Sequence, residues 1–336
     1  MAYATDLVRR ICEVSGSRDL IEDVRTSFGE IGLLNAIRLH DTDAVFDWMA
    51  EAISFQGISD QVAAGYIEQH GVVEAWQIRQ GLSRLGKCPK LEAYWTFEHC
   101  GYRKTRRSCS QPKRFRRCPL PRHDLRNGSL SQASYSLFLF MRDVAGGDFV
   151  AWLDQRLRDA DDVTSPGRSQ RLRDAVVTPL LNIHGVSHKV LHMTLANLLL
   201  AGGGKRKRWQ MAGAAMVAID SLVHAWLWRS GILQRLGIHH PYGPACYMSG
   251  GCETVINLVS SRIDTREFNP SFPQDFPRFV QKAIWSFCAA SGLDQCNGNR
   301  VDDRARCDLA DCPVFGQCDR VALHPARRSA TASREH

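Results

Sequence analysis

The sequence predicts an all-α protein. Apolar residues recur at helical spacing through most of the chain, and no strand pattern of any length competes with them. Apolar residues make up 44% and charged residues 23% of the 336, the balance of a folded chain, and the length is enough for two ordinary domains.

A helix is expected over 41–55, opened by Asp41 or Thr42, with Val45, Trp48, Met49 and Ile53 on one face. Helices over 59–69 and 72–84 follow, the second ended near Gly86 and Pro89. From 88 to 127 the periodicity stops and Cys, Pro, Lys and Arg dominate, which reads as an insertion held by its own cross-link. Helices resume over 130–143 and 147–158. A polar break at 161–167 leads to a helix over 168–183, a tight hairpin and a helix over 187–200. Residues 202–208 form a glycine-rich, basic loop. Residues 210–230 are expected to be helical and 237–275 irregular, with Pro241, Gly243, Pro244, Gly250 and Gly251. A helix over 276–290 precedes the last cysteines, and the Arg/Ser/Ala-rich tail 323–336 is expected to be disordered.

The formal charge is +8, and it is concentrated. Arg103, Lys104, Arg106, Arg107, Lys113, Arg114, Arg116 and Arg117 stand together with no acid between them. A run of this kind favours an anionic partner. Tyr94, Trp95, Phe97, Tyr102 and Phe115 interleave with it, a mixture that suits nucleic acid, with a solvated loop as the alternative. Lys205 and Arg206 open a second candidate phosphate contact. No stretch reaches the ~18 uncharged apolar residues of a membrane span. Asp6, Arg9 and Arg10 stand where a signal peptide would need its apolar block. The expectation is a cytoplasmic, nucleoid-associated monomer that does not enter the membrane.

Twelve cysteines are many for such a compartment, where disulfides seldom persist, so ligation is the better reading where they group. Cys296, Cys307, Cys312 and Cys318 are spaced C-x10-C-x4-C-x5-C. Four thiolates so close suit a [4Fe–4S] cluster or a tetrahedral zinc. Cys88, Cys100, Cys109 and Cys118 are spaced C-x11-C-x8-C-x8-C, unlike the paired ligands of a zinc finger. Their segment has little apolar content to fold by itself, so either a zinc or second cluster organises it, with His99 and His123 as substitute ligands, or it is a disordered basic loop. Cys12 and Cys288 read as buried thiols. Cys246 and Cys252, with His239 and His240, have ligand chemistry, but a packed loop is the reading adopted for them.

Two constellations carry reaction chemistry. In Leu180-Leu181-Asn182-Ile183-His184-Gly185-Val186-Ser187-His188-Lys189 a helix ends at a glycine hairpin and a new one begins. The unpaired N–H groups and positive dipole of its first turn can hold a DNA phosphate. Lys189 lies in that turn, with Gly185, Ser187 and His188 beside it. In Ala218-Ile219-Asp220-Ser221-Leu222-Val223-His224 a carboxylate stands among apolar neighbours at or near a helix start, where desolvation makes it costly.

Gly185-Val186-Ser187-His188-Lys189 resembles the L-P-G-V-G-x-K-T-A hairpin of the helix-hairpin-helix DNA glycosylase superfamily, endonuclease III-like. Ile219-Asp220-Ser221-Leu222-Val223 resembles its V-D-T-H-V segment. Ala52-Ile53-Ser54-Phe55-Gln56-Gly57-Ile58-Ser59-Asp60 is similar to L-L-S-A-Q-A-T-D, and the last four cysteines resemble its iron–sulfur loop. The four landmarks fall in family order from 52 to 318.

The resemblance implies a two-lobed fold, with residues 41–214 as a six-helix barrel carrying the hairpin at 183–189 and the insert at 88–127. Residues 1–40 and 215–322 would form the cluster lobe, and duplex DNA would lie across a cleft with Lys189 and Asp220 facing each other. It also implies base excision. Gln56 would fill the gap left by a flipped base. Asp220 would stabilise an oxocarbenium-like sugar or activate water. Lys189 would attack the sugar carbon, adding AP-lyase activity. The basic residues Arg106, Arg107, Arg114, Arg116, Lys205 and Arg206 would touch phosphate.

The sequence departs from the family at four points. Ser187 replaces the second hairpin glycine, and Ile183-His184 the usual proline. Thirty residues separate Lys189 from Asp220, a gap more like the archaeal 8-oxoguanine branch, and tilt the expected base toward an oxidised purine. The family's cysteine spacing is C-x6-C-x2-C-x5-C, of which only the last interval matches, and the 88–118 quartet has no family counterpart. A monofunctional glycosylase using Asp220 and water remains open, as do an inactive DNA-binding protein on the same scaffold and, more distantly, a zinc-dependent regulator.

Overall fold

A computed structural model describes residues 1–54, 60–84, 88–98, 100–101, 108–109, 112–113, 115–118, 120 and 129–324. Helices, turns and irregular segments make them up, with no β-strand among the described residues. Gln56, His99, Arg106, Arg107, Arg114 and His123 lie outside them, as does the tail from 325.

The chain forms two compact units, Met1–Asp19 with Val217–His336, and Leu20–Met216. Helix α1 (Ala2–Ser15) belongs to the first. The second unit begins with α2 (Leu20–Glu30), α3 (Leu33–Leu39), α4 (Thr42–Ser54), α5 (Asp60–His70), α6 (Ala75–Arg84) and the short α7 (Tyr94–Glu98). It continues with α8 (Ser129–Leu139), a π-helical turn over Phe140–Val144, α9 (Phe149–Asp159), α10 (Arg168–Leu180), α11 (His188–Gly202) and α12 (Lys207–Ala214). The first unit resumes with α13 (Ser221–Arg229), α14 (Ile232–Arg235), α15 (Cys252–Ser260) and α16 (Pro277–Cys288).

Helix α11 is the axis of the second unit's core. Ten of its fifteen residues are buried, and α2, α3, α4, α10 and α12 pack on it. Phe46, Phe149, Leu153, Leu195, Leu199 and Trp209 meet in one apolar cluster there. Burying side chains of this size stabilises by roughly 1.5–3 kcal/mol each. In the first unit α16 is central: α1, α13 and α15 pack on it through Phe276, Phe279, Ile284 and Phe287.

The expected helices over 41–55, 59–69, 72–84, 130–143, 147–158, 168–183, 187–200 and 276–290 all find counterparts within a few residues. Three expectations are corrected. The stretch 210–230 is not one helix: α12 stops at Ala214, 216–220 is non-helical, and α13 starts afresh because Asp220 caps it. The irregular stretch 237–275 contains α15, whose Val255, Ile256 and Val259 share a buried face. Residues 20–39 pack as α2 and α3 on α4 and α11, so the division falls after Asp19 and not at 40. No helix among the described residues is long and apolar enough to cross a membrane.

Candidate functional site

The hairpin between α10 and α11 is built by local hydrogen bonds. Ile183 N–H donates to Leu180 O at 3.1 Å and Val186 N–H to Ile183 O at 3.2 Å. His184 N–H donates to Ser136 Oγ at 3.1 Å, which ties the turn to α8. Gly185 has φ +76°, a conformation that favours glycine. Ser187 is extended, and its hydroxyl accepts Val190 N–H, so the replacement for the second glycine serves as the N-cap of α11. Lys189 follows as the second helical residue, half-buried. Burial holds the imidazoles of His184 and His188 below the ordinary histidine value.

The loop at 205–208 is partly self-neutralised. Arg206 lies over the Trp209 ring at 4.7 Å and pairs with Asp154 at 3.6 Å, while Trp209 Nε1 donates to the same carboxylate at 2.6 Å. Arg208 and Arg168 both pair with Asp161 at 2.5 Å. Lys205 and Lys207 are exposed beside a cavity of about 470 Å³. In the insert, Arg116 is exposed.

Asp220 is the N-cap of α13. Its backbone is extended, and its carboxylate accepts Val223 N–H at 2.9 Å. The Tyr247 hydroxyl fixes the residue before it, accepting Ile219 N–H at 2.7 Å and donating to Ile219 O at 3.2 Å. Burial raises the Tyr247 phenol well above its usual value. Arg278 is fully buried nearby. Desolvation brings its guanidinium down to about 10, opposed by the charges of Tyr247 and Asp220, and it donates to Gln281 at 2.6 Å.

Each cysteine quartet converges on one pocket. Cys296, Cys307, Cys312 and Cys318 line one with Trp226, Phe287 and Arg229. The Cys288 thiol donates to Cys296, and with Arg229 beside it the Cys296 thiol falls to about 7; burial pushes Cys318 up to about 12. Cys312 and Cys318 accept the N–H of the residue two further on, Val314 and Arg320. Arg229 Nε, Arg320 Nε and Gln295 Oε1 are buried around this pocket with no hydrogen-bond partner among the described residues. Cys88, Cys100, Cys109 and Cys118 line a second pocket with Leu91, Phe97 and Leu120. Cys88 and Cys118 accept N–H groups from Lys90 and Leu120, the same two-residue turn.

A third group was misread from the sequence. His224, His240, Cys246 and Cys252 place one ligand atom each within 4.8 Å of one another, and could hold a metal ion. Cys246 and Cys252 are therefore not simply loop packing. His224 takes the place expected for His239, because residue 224 is on the first turn of α13 and turns inward to the two thiols. The missed signal was the spacing H-x15-H-x5-C-x5-C, which begins inside the Asp220 segment. Hydrogen bonding from Cys252 lowers the Cys246 thiol to about 4, while this bond and burial raise Cys252, so one proton serves both sulfurs. A cavity of about 620 Å³ opens beside the two histidines, walled by Leu222, Trp228, His239 and Tyr242.

Comparison with known proteins gives no matching family model, no matching curated protein and no matching solved structure.

Proposed function

We propose that the chain is a DNA glycosylase of the helix-hairpin-helix superfamily that excises a damaged or modified base from duplex DNA and nicks the backbone through Lys189. The observation that carries this reading is that two helix starts, one in each unit, each bear a reaction-type residue. Gly185 and Ser187 build a tight turn into α11 with Lys189 in its first turn, and Asp220 caps α13. The positive dipole end at the start of α11 suits a phosphate oxygen. Asp220, held by Val223 N–H and the turn that Tyr247 clamps, is a carboxylate in fixed position for a developing sugar cation. Lys189 is the nucleophile, taking the sugar carbon as the base leaves.

Cys296, Cys307, Cys312 and Cys318 would hold a [4Fe–4S] cluster, and the residues around them fit one. Three buried polar atoms lack a partner among the described residues, and the two arginine Nε groups among them are donors of the kind that cluster sulfides accept. A tetrahedral zinc holds sulfurs about 3.8 Å apart, from bonds near 2.3 Å. Among the described residues the His224 group draws its ligand atoms within 4.8 Å of one another, the span of a single-ion site; at the 296–318 quartet zinc stays the alternative to the cluster. When bound, the cluster cross-links the 296–318 loop. The quartet at 88–118, which lines one pocket with Leu91, Phe97 and Leu120, would hold a zinc or a second cluster.

Borohydride trapping on duplexes that each carry one lesion tests the reading. A covalent complex is expected, lost in Lys189→Gln, with base release lost in Asp220→Asn. Base release without trapping would make the enzyme monofunctional, with Lys189 binding only. A protein that binds every duplex and releases no base from a panel including oxidised purines, alkylated bases and uracil would refute the enzyme reading.

A further inference from the structure

Outside the two cysteine quartets, we infer that His224, His240, Cys246 and Cys252 form a closed, four-coordinate zinc site that staples the 240–252 segment to the first turn of α13. This inference does not rest on the glycosylase reading.

The geometry has the size of a single ion. Zinc bonds of about 2.3 Å to sulfur and 2.0–2.1 Å to nitrogen, set tetrahedrally, put N···S edges at about 3.5 Å. Here His224 Nδ1 stands 3.2 Å from Cys252 Sγ and 3.7 Å from Cys246 Sγ, and His240 Nε2 stands 3.6 Å from Cys252 Sγ. The centre needs only a small shift to receive the ion. Burial fits a structural site too: both cysteines are fully enclosed and His224 is 9% exposed. Two soft thiolates and two imidazoles select zinc over calcium or magnesium, which take oxygen. With all four positions filled by protein there is no open place for a water, so the role is structural.

The four ligands come from four separate pieces of chain. His224 is on α13, and His240 follows α14. Cys246 lies in the 3-10 turn Pro244–Tyr247, and Cys252 is the first residue of α15. Gly243 and Gly250, with φ +138° and +79°, let the chain turn back on itself twice between them. Tyr247, next to Cys246, clamps Ile219 beside Asp220. The ion would therefore fix both the turn that bears the Tyr247 clamp and the helix that Asp220 caps.

The experiment is metal analysis and X-ray absorption on the purified full chain, grown with zinc. One zinc per chain is expected, with two sulfur and two nitrogen neighbours, and Cys246→Ser/Cys252→Ser should lose that zinc while iron content stays unchanged. Cobalt substituted for zinc should give thiolate charge-transfer bands that vanish in the double variant. Should the variant not fold, the zinc-edge spectrum of the unaltered chain decides. A four-sulfur shell would assign the ion to a cysteine quartet and overturn the proposal. So would a chain that carries no zinc and gives no cobalt bands, or a folded double variant that keeps its zinc.

Discussion

Asp220 does two jobs that substitution can separate. As the N-cap of α13 it satisfies Val223 N–H, and asparagine caps as well as aspartate. Asp220→Asn should therefore leave the urea midpoint nearly unchanged while base release falls about 10²-fold or more. Asp220→Ala should lose the same activity and also about 1 kcal/mol of stability. If both variants were equally unstable, the carboxylate charge rather than the cap would be holding the helix. Arg278 explains why a charge is tolerated there, because a buried guanidinium stands close enough to feel it. Arg206 shows the opposite lesson. Read as a phosphate contact, it is occupied by Asp154 and Trp209, so Lys205 is the better candidate for DNA contact in its loop. Lys205→Ala should lower the salt slope of duplex binding by about 1.

At the scale of elements, the hairpin depends on two residues. Gly185 has φ +76°, and a Cβ there would meet nothing within 4 Å. Gly185→Ala should cost about 1 kcal/mol through backbone strain alone, with no clash to relieve, and should weaken duplex binding as the turn opens. Denaturant titration beside a binding isotherm checks both. An unchanged affinity would separate the hairpin from DNA. The break between α12 and α13 belongs to the same scale. Composition alone favours continuing the helix through 210–230. The competing cap at Asp220 and the clamp from Tyr247 win because they satisfy backbone groups that a continuous helix would not present there.

Over the whole molecule, the ion pairs set the pH dependence of stability. Asp161 accepts from Arg168 and Arg208, and the hydrogen bond from Arg168 above all holds its carboxyl below the usual value. A lowered folded value means stability that is complete above the unfolded value of about 3.9 and lost as pH falls through the folded one. Asp161→Asn should thus flatten the acid limb of the stability curve below about pH 4, and leave stability above it reduced and level. A variant whose acid limb kept its slope would show that other carboxylates set it. Iron and acid-labile sulfide should each reach about four per chain if only the 296–318 quartet holds a cluster, and about eight if the 88–118 quartet holds another. Cys88→Ser with Cys109→Ser should then remove about half.

By itself the sequence determined the helices and the groups whose partners are near in the chain. Periodicity placed the long helices to within a few residues, since a buried stripe must repeat with the turn of the helix. The cysteine quartets were legible because close spacing leaves few ways to bury four thiols apart. The hairpin and the cap at Asp220 were legible from local backbone chemistry. Tertiary structure alone decided what depends on distant pieces meeting. It sent α2 and α3 to the second unit and turned His224 rather than His239 toward Cys246 and Cys252. It also bound Arg206 to Asp154, fifty-two positions away. A residue's type states what chemistry it can do. Only the packing of its helix decides which face it lies on, and therefore which distant partner it meets.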